Sequence, residues 1–199
     1  MGEGGLEEGK KNVRRLNAHL VFLDESGLLT TPLVRRTWAP RGQTPVLYQC
    51  GRHWEKASII GALTVSPRRR RVGLYFSLAA NRNVDIPWAI DFLHNLLSHL
   101  KGPVVLVWDR LGVHRSRAVS SFIRHHRRLH VVWLPPYAPE LNPVEQVWGY
   151  LKHNPLANYA PARVKQLTAT AYRHARRIQR RQDLLRSFID HAGLLLRLK

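Results

Sequence analysis

Residues 102–114 read GPVVLVWDRLGVH. All five residues from Val104 to Trp108 are apolar, which is the pattern of a β-strand covered on both faces. Gly102 and Pro103 separate this strand from the residues before it. Asp109 is the first charged residue after it, and a buried carboxylate needs a cation, a set of hydrogen bonds or a metal. The segment therefore predicts a central strand of an α/β domain with an acid at its end.

Strands and helices are predicted on both sides of this strand. Strands are predicted at 19–24, 57–65, 72–79 and 131–134, with a further short strand around Val46–Cys50. Helices are predicted at 84–100, 115–126, 142–153, 162–178 and 183–198. The three early strands would pair antiparallel, and the two later ones, separated by helices, would add in parallel. The fold class is therefore α/β, with a mixed five-stranded sheet flanked by helices.

Composition and charge narrow the class of protein. The chain has 199 residues, of which 44% are apolar, and this suits a single globular domain. Its 32 Lys and Arg against 13 Asp and Glu give a net charge of +19, which favours a nucleic acid over an anionic membrane surface as the partner. No apolar run reaches the roughly 20 residues that span a bilayer. With one cysteine, Cys50, an internal disulfide and a cysteine-based zinc finger are excluded, and we expect a cytoplasmic protein.

Three of the acidic residues lie where a metal site is expected. Asp24 and Asp109 each follow an apolar strand, and Glu145 falls in the first turn of a later helix. Each also has an ordinary explanation: an Asp can cap a turn, and Glu145 can close a capping box with Asn142. Glu25 would face the opposite side of the strand from Asp24. Three hard oxygen ligands suit Mg²⁺ or Mn²⁺, and two such ions about 4 Å apart can flank a phosphodiester.

Three segments resemble the signature blocks of the DDE transposases. They read LDES at 23–26, VWDRLGVH at 107–114 and LPPYAPELNPVEQVWGYLK at 134–152. The similarity is to the mariner-like superfamily, in its bacterial insertion-sequence branch, and it covers about residues 18–155. Thirty-five residues lie between Asp109 and Glu145, a spacing that fits this group. The resemblance implies a ribonuclease H-like fold, in agreement with the predicted order of strands and helices.

The resemblance also implies a reaction. Asp24, Asp109 and Glu145 match the three catalytic acids, which would hold Mg²⁺ or Mn²⁺, as two ions. Water would cleave the DNA at a transposon end, and the freed 3′-hydroxyl would then attack target DNA, which in relatives is a TA dinucleotide. His114 matches a histidine that commonly follows the second acid, and is otherwise a polar residue at the start of a helix. Arg110 replaces the usual neutral Asn, where it could pair with Asp109 against the cation or contact a DNA phosphate.

Clusters of arginine predict phosphate contacts that are independent of base sequence, although each cluster alone can be a solvated surface. Trp38 and Trp54 could stack on bases, whereas Trp148, three residues after Glu145 on one helix, is expected to pack in the core. A further basic cluster lies at 176–181. The candidate DNA contacts are Arg35, Arg36, Arg68, Arg69, Arg70, Arg71, Arg124, Arg127 and Arg128.

The chain is expected to have three parts. Residues 1–17 would be a flexible leader or linker, 18–155 the ribonuclease H-like catalytic domain, and 156–199 basic helices that pack on it or extend it. Full-length relatives carry an N-terminal helix-turn-helix region that reads the transposon ends, so we expect that module on a separate subunit or lost by truncation. The resemblance further implies a homodimer in the active complex, on nucleoid DNA of a bacterium, with no membrane partner.

Other functions remain open from the sequence. A metal nuclease of the same fold would use the same acids without joining strands. A catalytically inactive relic would only bind DNA or a partner subunit, an alternative that Arg110 motivates. A basic RNA-binding domain is the weakest alternative, because no aromatic motif of that class supports it.

Overall fold

A mixed five-stranded sheet forms the centre of the computed structural model, which describes residues 12–49, 55–136, 138–193, 196 and 198. The sheet order is β3-β2-β1-β4-β5. β1 pairs antiparallel with β2, as β2 does with β3, while β4 runs parallel to both β1 and β5. The predicted fold class is confirmed. The strands are β1 (His19–Leu29), β2 (Lys56–Val65), β3 (Val72–Ala80), β4 (Val104–Trp108) and β5 (Leu129–Trp133).

Within the described residues, five α-helices of nine residues or more cover the two faces of this sheet. The side chain of Asp85 accepts a hydrogen bond from the N–H of Trp88 and begins the first helix, and Ser116 caps the second in the same way. The helices are α1 (Ile86–His99), α2 (Arg117–His125), α3 (Val144–His153), α4 (Val164–Gln179) and α5 (Gln182–His191). Within the described part of the chain, none of the helices has the length and apolarity to cross a membrane.

Alternate residues of β1 enter two separate apolar layers. Val21 and Leu23 pack with the apolar residues of α1 and α2, including Val119. Leu20 and Phe22 pack with α3, α4 and α5 on the other face. The two C-terminal helices thus share a core with α3 on the sheet. Because the faces alternate, Asp24 and Glu25 are directed to opposite layers.

The first strand is longer than predicted. β1 continues for five residues beyond Asp24, so this acid lies within the strand and pairs with Gly61 on β2 instead of following the strand's end. The extension arises because β2 supplies antiparallel partners as far as Leu29. The pairing with β2 therefore keeps the polar residues after Asp24 in the strand.

Other boundaries also differ from those predicted. The predicted strand at Val46 is wrong, since residues 46–49 lie in no strand, and Cys50 falls outside the described residues. Residues 12–16 of the predicted leader are helical, and Val13 packs in the core; residues 1–11 are outside the described part. The last helix was predicted to reach residue 198 but ends at His191. Two residues later, Gly193 adopts a positive φ of 62°, which is common just after the end of a helix.

Candidate functional site

Asp24, Asp109 and Glu145 line one cavity of about 430 Å³. β1 supplies Asp24, Asp109 directly follows β4, and Glu145 lies in the first turn of α3. β4 runs parallel to β1, which brings its C-terminal end beside the middle of β1. The fold therefore brings together three acids that are spread over more than a hundred residues of sequence. The remaining wall is largely apolar and proline-rich, formed by Leu111, Leu134, Pro135, Pro136, Ala138 and Pro139.

Asp24 is the most buried of the three acids, with 8% of its surface exposed. Its pKa is raised to about 8, first by burial and then by the nearby carboxylates of Glu145, Glu25 and Asp109, against a lowering by the hydrogen bond from Trp148. The indole Nε1–H of Trp148 donates a 2.8 Å hydrogen bond to its Oδ2. The acid is therefore protonated at neutral pH unless a cation compensates its charge.

Gly61 provides the space for this hydrogen bond. It pairs with Asp24 across the β1–β2 ladder. A Cβ built on Gly61 would lie 2.6 Å from Cη2 of Trp148, closer than real carbon contacts. Only a residue without a side chain leaves room for the indole at this point of the sheet. The sequence does not reveal this requirement, because the indole that fills the space belongs to α3, far from Gly61 along the chain.

Asn142 fixes the start of α3 against β1. Its Nδ2 donates to the carbonyl of Leu23 over 3.1 Å, and its Oδ1 accepts from the N–H of Val144 over 3.2 Å. The backbone N–H of Asn142 donates to Pro139, so the capping box, the alternative explanation for Glu145, is not formed. The carboxylate of Glu145 is therefore not engaged in capping and remains available to the cavity.

Asp109 is held by the loop that follows it. Its Oδ1 lies 2.5 Å from Nδ1 of His114 and accepts from the N–H of Leu111 over 3.3 Å. The His114 ring, only 2% exposed, stacks on Trp108 at a centroid distance of 3.9 Å. Its Nε2 lies 3.2 Å from Oε1 of Glu25. Burial lowers the pKa of His114, but the contacts with Asp109 and Glu25 outweigh it and raise that pKa to about 9.

Arg110 lines the same cavity and is exposed. The described part of the chain gives Asp109 an ion pair with His114 and none with Arg110. Arg110 also borders an adjoining pocket together with Arg115 and Ser120. The guanidinium of Arg110 therefore faces solvent at the rim of the site, and contact with a bound anion requires such a position.

The donor set fits a hard divalent cation in its chemistry. Carboxylate oxygens are the ligands that Mg²⁺ and Mn²⁺ prefer, and a dication would stabilise the ionised form of Asp24, which burial and the neighbouring carboxylates disfavour. Within the described residues, however, no three His, Cys, Asp or Glu side chains are close enough together to form a ligand set.

Most of the candidate arginines lie at the other end of the sheet. Arg68–Arg71 form the turn between β2 and β3, next to Val65, which pairs with Leu20 near the start of β1. Arg124, Arg127 and Arg128 lie near the start of β5, at the same end.

Arg35 and Arg128 have partners within the chain. The guanidinium of Arg35 donates to Nδ1 of His153 at the end of α3, while Arg36 is exposed. The guanidinium of Arg128 donates to the carbonyls of Leu97, Leu100 and Gly102. Arg128 thus caps α1 in this structure. Of the tryptophans predicted to stack on bases, Trp38 is almost fully exposed, and Trp54 lies outside the described residues.

The family model described as "DDE superfamily endonuclease" matches residues 19–168. The chain is 25% identical over 152 residues to the "Insertion element IS630 uncharacterized 39 kDa protein" of Shigella sonnei. That match covers 75% of this chain and 42% of the relative. The chain therefore spans less than half the length of this relative.

Solved structures of the Mos1 transposase have a similar fold. In its paired-end complex with the left transposon end, the match covers 98% of this chain and 60% of the other, with a TM-score of 0.64 and 17% identity. The Mos1 mariner paired-end complex with Mn gives a TM-score of 0.64 and 16% identity, with the same coverage of 98% and 60%. At such identities the similarity establishes a shared ribonuclease H-like fold.

Proposed function

Because the chain belongs to the DDE superfamily endonuclease family, we propose that it is the catalytic domain of a DNA transposase. It cleaves DNA at transposon ends and joins the freed 3′ ends to target DNA. The observation that carries this proposal is the meeting of Asp24, Asp109 and Glu145 at one cavity. Their sequence blocks are those by which the chain resembles transposases, and the net charge of +19 suits a DNA substrate.

The three acids are proposed to bind Mg²⁺ or Mn²⁺, as two ions. When bound, the ions would activate the attacking hydroxyl or water and neutralise charge on the scissile phosphate. Asp24 and Asp109 each have one oxygen held by a neighbour, Trp148 or His114, so that the other oxygen is available to a cation. Support for a divalent metal comes from this donor chemistry and from the Mn present in the Mos1 complex.

The chain's own residues supply positioning and charge. The apolar, proline-rich wall offers no polar partner that would compete with the acids for a cation. Arg110 at the rim is proposed to contact one DNA phosphate, and Arg35 and Arg36, in the segment after β1, are proposed to contact others. The arginines at the opposite end of the sheet would contact more distant DNA.

End recognition and assembly form a further part of the proposal. A helix-turn-helix module, carried on a separate subunit, would read the transposon ends, and the active complex would be a homodimer on bacterial nucleoid DNA in the cytoplasm. The supporting observation is that the Mos1 chain in the paired-end complex is longer than the part matched here. Size measurement of the chain with and without end DNA tests the dimer.

The decisive experiment is a nicking and strand-transfer assay on DNA that carries the element's ends. The wild-type chain, with Mg²⁺ or Mn²⁺ and with an end-binding subunit added in parallel, is compared with Asp24→Asn, Asp109→Asn and Glu145→Gln. These near-isosteric changes should each lower the cleavage rate at least about a hundredfold, because metal ligands contribute several kcal/mol to phosphoryl transfer. Glu140→Gln, on an exposed acid next to the site, is the matched control.

The products separate the proposal from its alternatives. Joined products support a transposase, whereas nicks without joining support a nuclease of the same fold. Inactivity of every combination, with DNA binding retained, supports the relic. Equal rates for wild type and Asp109→Asn would refute the proposed metal site.

A further inference from the structure

A fourth carboxylate, Glu25, is buried behind the site on the opposite face of the sheet from Asp24. Its side chain is 12% exposed, and its Oε1 is fully buried without a hydrogen-bond partner in the described part of the chain. Such an oxygen is costly unless a polar group lies against it. The group that lies there is Nε2 of His114, 3.2 Å away.

His114 is restrained on three sides. Trp108 stacks on its ring, Glu25 faces Nε2, and Asp109 faces Nδ1. Glu25 belongs to β1, whereas His114 and Asp109 belong to the end of β4 and the loop after it. The ring therefore connects two neighbouring strands at the level of the cavity.

The consequence for Asp109 is that its two oxygens differ. Oδ1 contacts Nδ1 of His114 and accepts from the N–H of Leu111, whereas Oδ2 has no hydrogen bond among the described residues. A ring that was free to turn would release Oδ1 and let the carboxylate rotate. Partners behind a ligating group commonly set its orientation in this way.

We propose that Glu25 is a positioning residue, which acts through His114 to hold Oδ1 of Asp109 and leave Oδ2 for the cation. This role rests on the proposed metal-dependent function. Glu25 itself does not touch the cavity, whose lining includes Asp24 and Asp109 but not Glu25. Its charge also acts on Asp24 through space, but its hold on Asp109 passes through the His114 ring and disappears when the ring is absent.

A double-mutant cycle read by Mn²⁺ affinity tests this, using the full chain without DNA. Glu25→Gln is nearly isosteric and should weaken Mn²⁺ binding about tenfold, the lower range for loss of such a partner. His114→Asn keeps a donor near the place of Nδ1 but has nothing at the place of Nε2. In that background Glu25→Gln should change the affinity less than about twofold. Glu140→Gln, the same change on an exposed acid, should leave it unchanged.

Several outcomes would overturn the proposal. One is an unchanged affinity in Glu25→Gln, and another is an equal loss in both backgrounds, which would mean that Glu25 does not act through His114. Wild type that binds no Mn²⁺ would instead refute the proposed metal site itself, and the positioning role with it.

Discussion

The indole of Trp148 donates a 2.8 Å hydrogen bond to the carboxylate of Asp24. Trp148 lies on α3, one turn after Glu145, and Asp24 lies within β1. The bond therefore connects the two elements that carry the first and third acids. It also holds Oδ2 of Asp24, while Oδ1 has no hydrogen bond among the residues that the structure describes.

Trp148→Phe should impair metal binding more than folding. Phe keeps an aromatic ring in the core but removes the N–H, so that Asp24 loses its orienting donor. We expect Mn²⁺ affinity to fall about tenfold, as for other partners of metal ligands. The measurement is a Mn²⁺ titration beside a thermal melt. Trp88→Phe is the matched control, because it removes the indole hydrogen bond from Trp88 on α1 to Ser77 on β3. Equal losses of affinity in both variants would contradict the role of Trp148.

Gly61→Ala should destabilise the protein through the same indole. The added Cβ would lie 2.6 Å from Cη2 and 3.1 Å from Cζ2 of Trp148, so either the ring or the strand must shift. Overpacking of a core in this way costs about 1–3 kcal/mol. The free energy of unfolding, measured with urea, should fall by that amount. Because Phe lacks the clashing atoms, Gly61→Ala should cost less in a Trp148→Phe background, and equal costs in the two backgrounds would rule out this clash.

Asp24 should make both stability and metal binding depend on pH. Its pKa is raised from 3.8 to about 8, first by burial and then by the neighbouring carboxylates. A group whose folded pKa is raised contributes stability below its unfolded pKa and loses it as the pH rises through the folded value. Without metal, the free energy of unfolding should therefore decline between about pH 4 and pH 8 more in wild type than in Asp24→Asn.

Metal binding should show the opposite trend in the same range. A divalent cation binds the deprotonated carboxyl, so its binding releases the proton of Asp24. The apparent Mn²⁺ affinity should rise about tenfold per pH unit below pH 8 and then level off. Parallel stability curves for wild type and Asp24→Asn, together with an affinity that does not change with pH, would show that Asp24 is already ionised at neutral pH.

The sequence predicted the sheet better than the site. The apolar run of β4 indicated a strand covered on both faces, and alternation along β1 correctly separated Asp24 from Glu25. The partners of these acids could not be predicted, because Trp148 and His114 reach them across the fold. Trp148 was predicted only to pack in the core, and it does so while its N–H serves Asp24. The periodicity of a strand predicts which face of the sheet a side chain lies on. Its hydrogen-bond partner depends on which residues of the helix layer pack against that face.

The arginines predicted to contact DNA should differ in their effect on the stability of the fold. Arg128 donates to three carbonyls around the end of α1, whereas Arg127 is exposed. Arg128→Ala would leave these carbonyls unpaired and should lower the free energy of unfolding by about 2 kcal/mol. Arg127→Ala should leave stability unchanged within about 0.5 kcal/mol. Thermal or urea unfolding of the two variants measures this, and equal stabilities would show that the cap made by Arg128 contributes nothing.

Arg110 should favour DNA binding at some cost to metal binding. It lies exposed at the rim of the cavity that contains Asp24, Asp109 and Glu145, without an ion pair to Asp109. Replacing it by Asn should weaken DNA binding and lower the slope of log affinity against log salt by about one, as expected for a single phosphate contact. Without DNA, the same change removes a positive charge beside the cation, so Mn²⁺ affinity should rise.

Salt titrations of DNA binding, together with Mn²⁺ titrations of the free chain, measure the two effects of Arg110→Asn separately. Arg117→Asn, on the exposed surface of α2, serves as the control, because it removes the same charge outside the cavity lining. An unchanged salt slope with a raised Mn²⁺ affinity would mean that Arg110 acts on the cation alone. An unchanged Mn²⁺ affinity with a lowered slope would assign it to DNA alone. No change in either would remove Arg110 from the site.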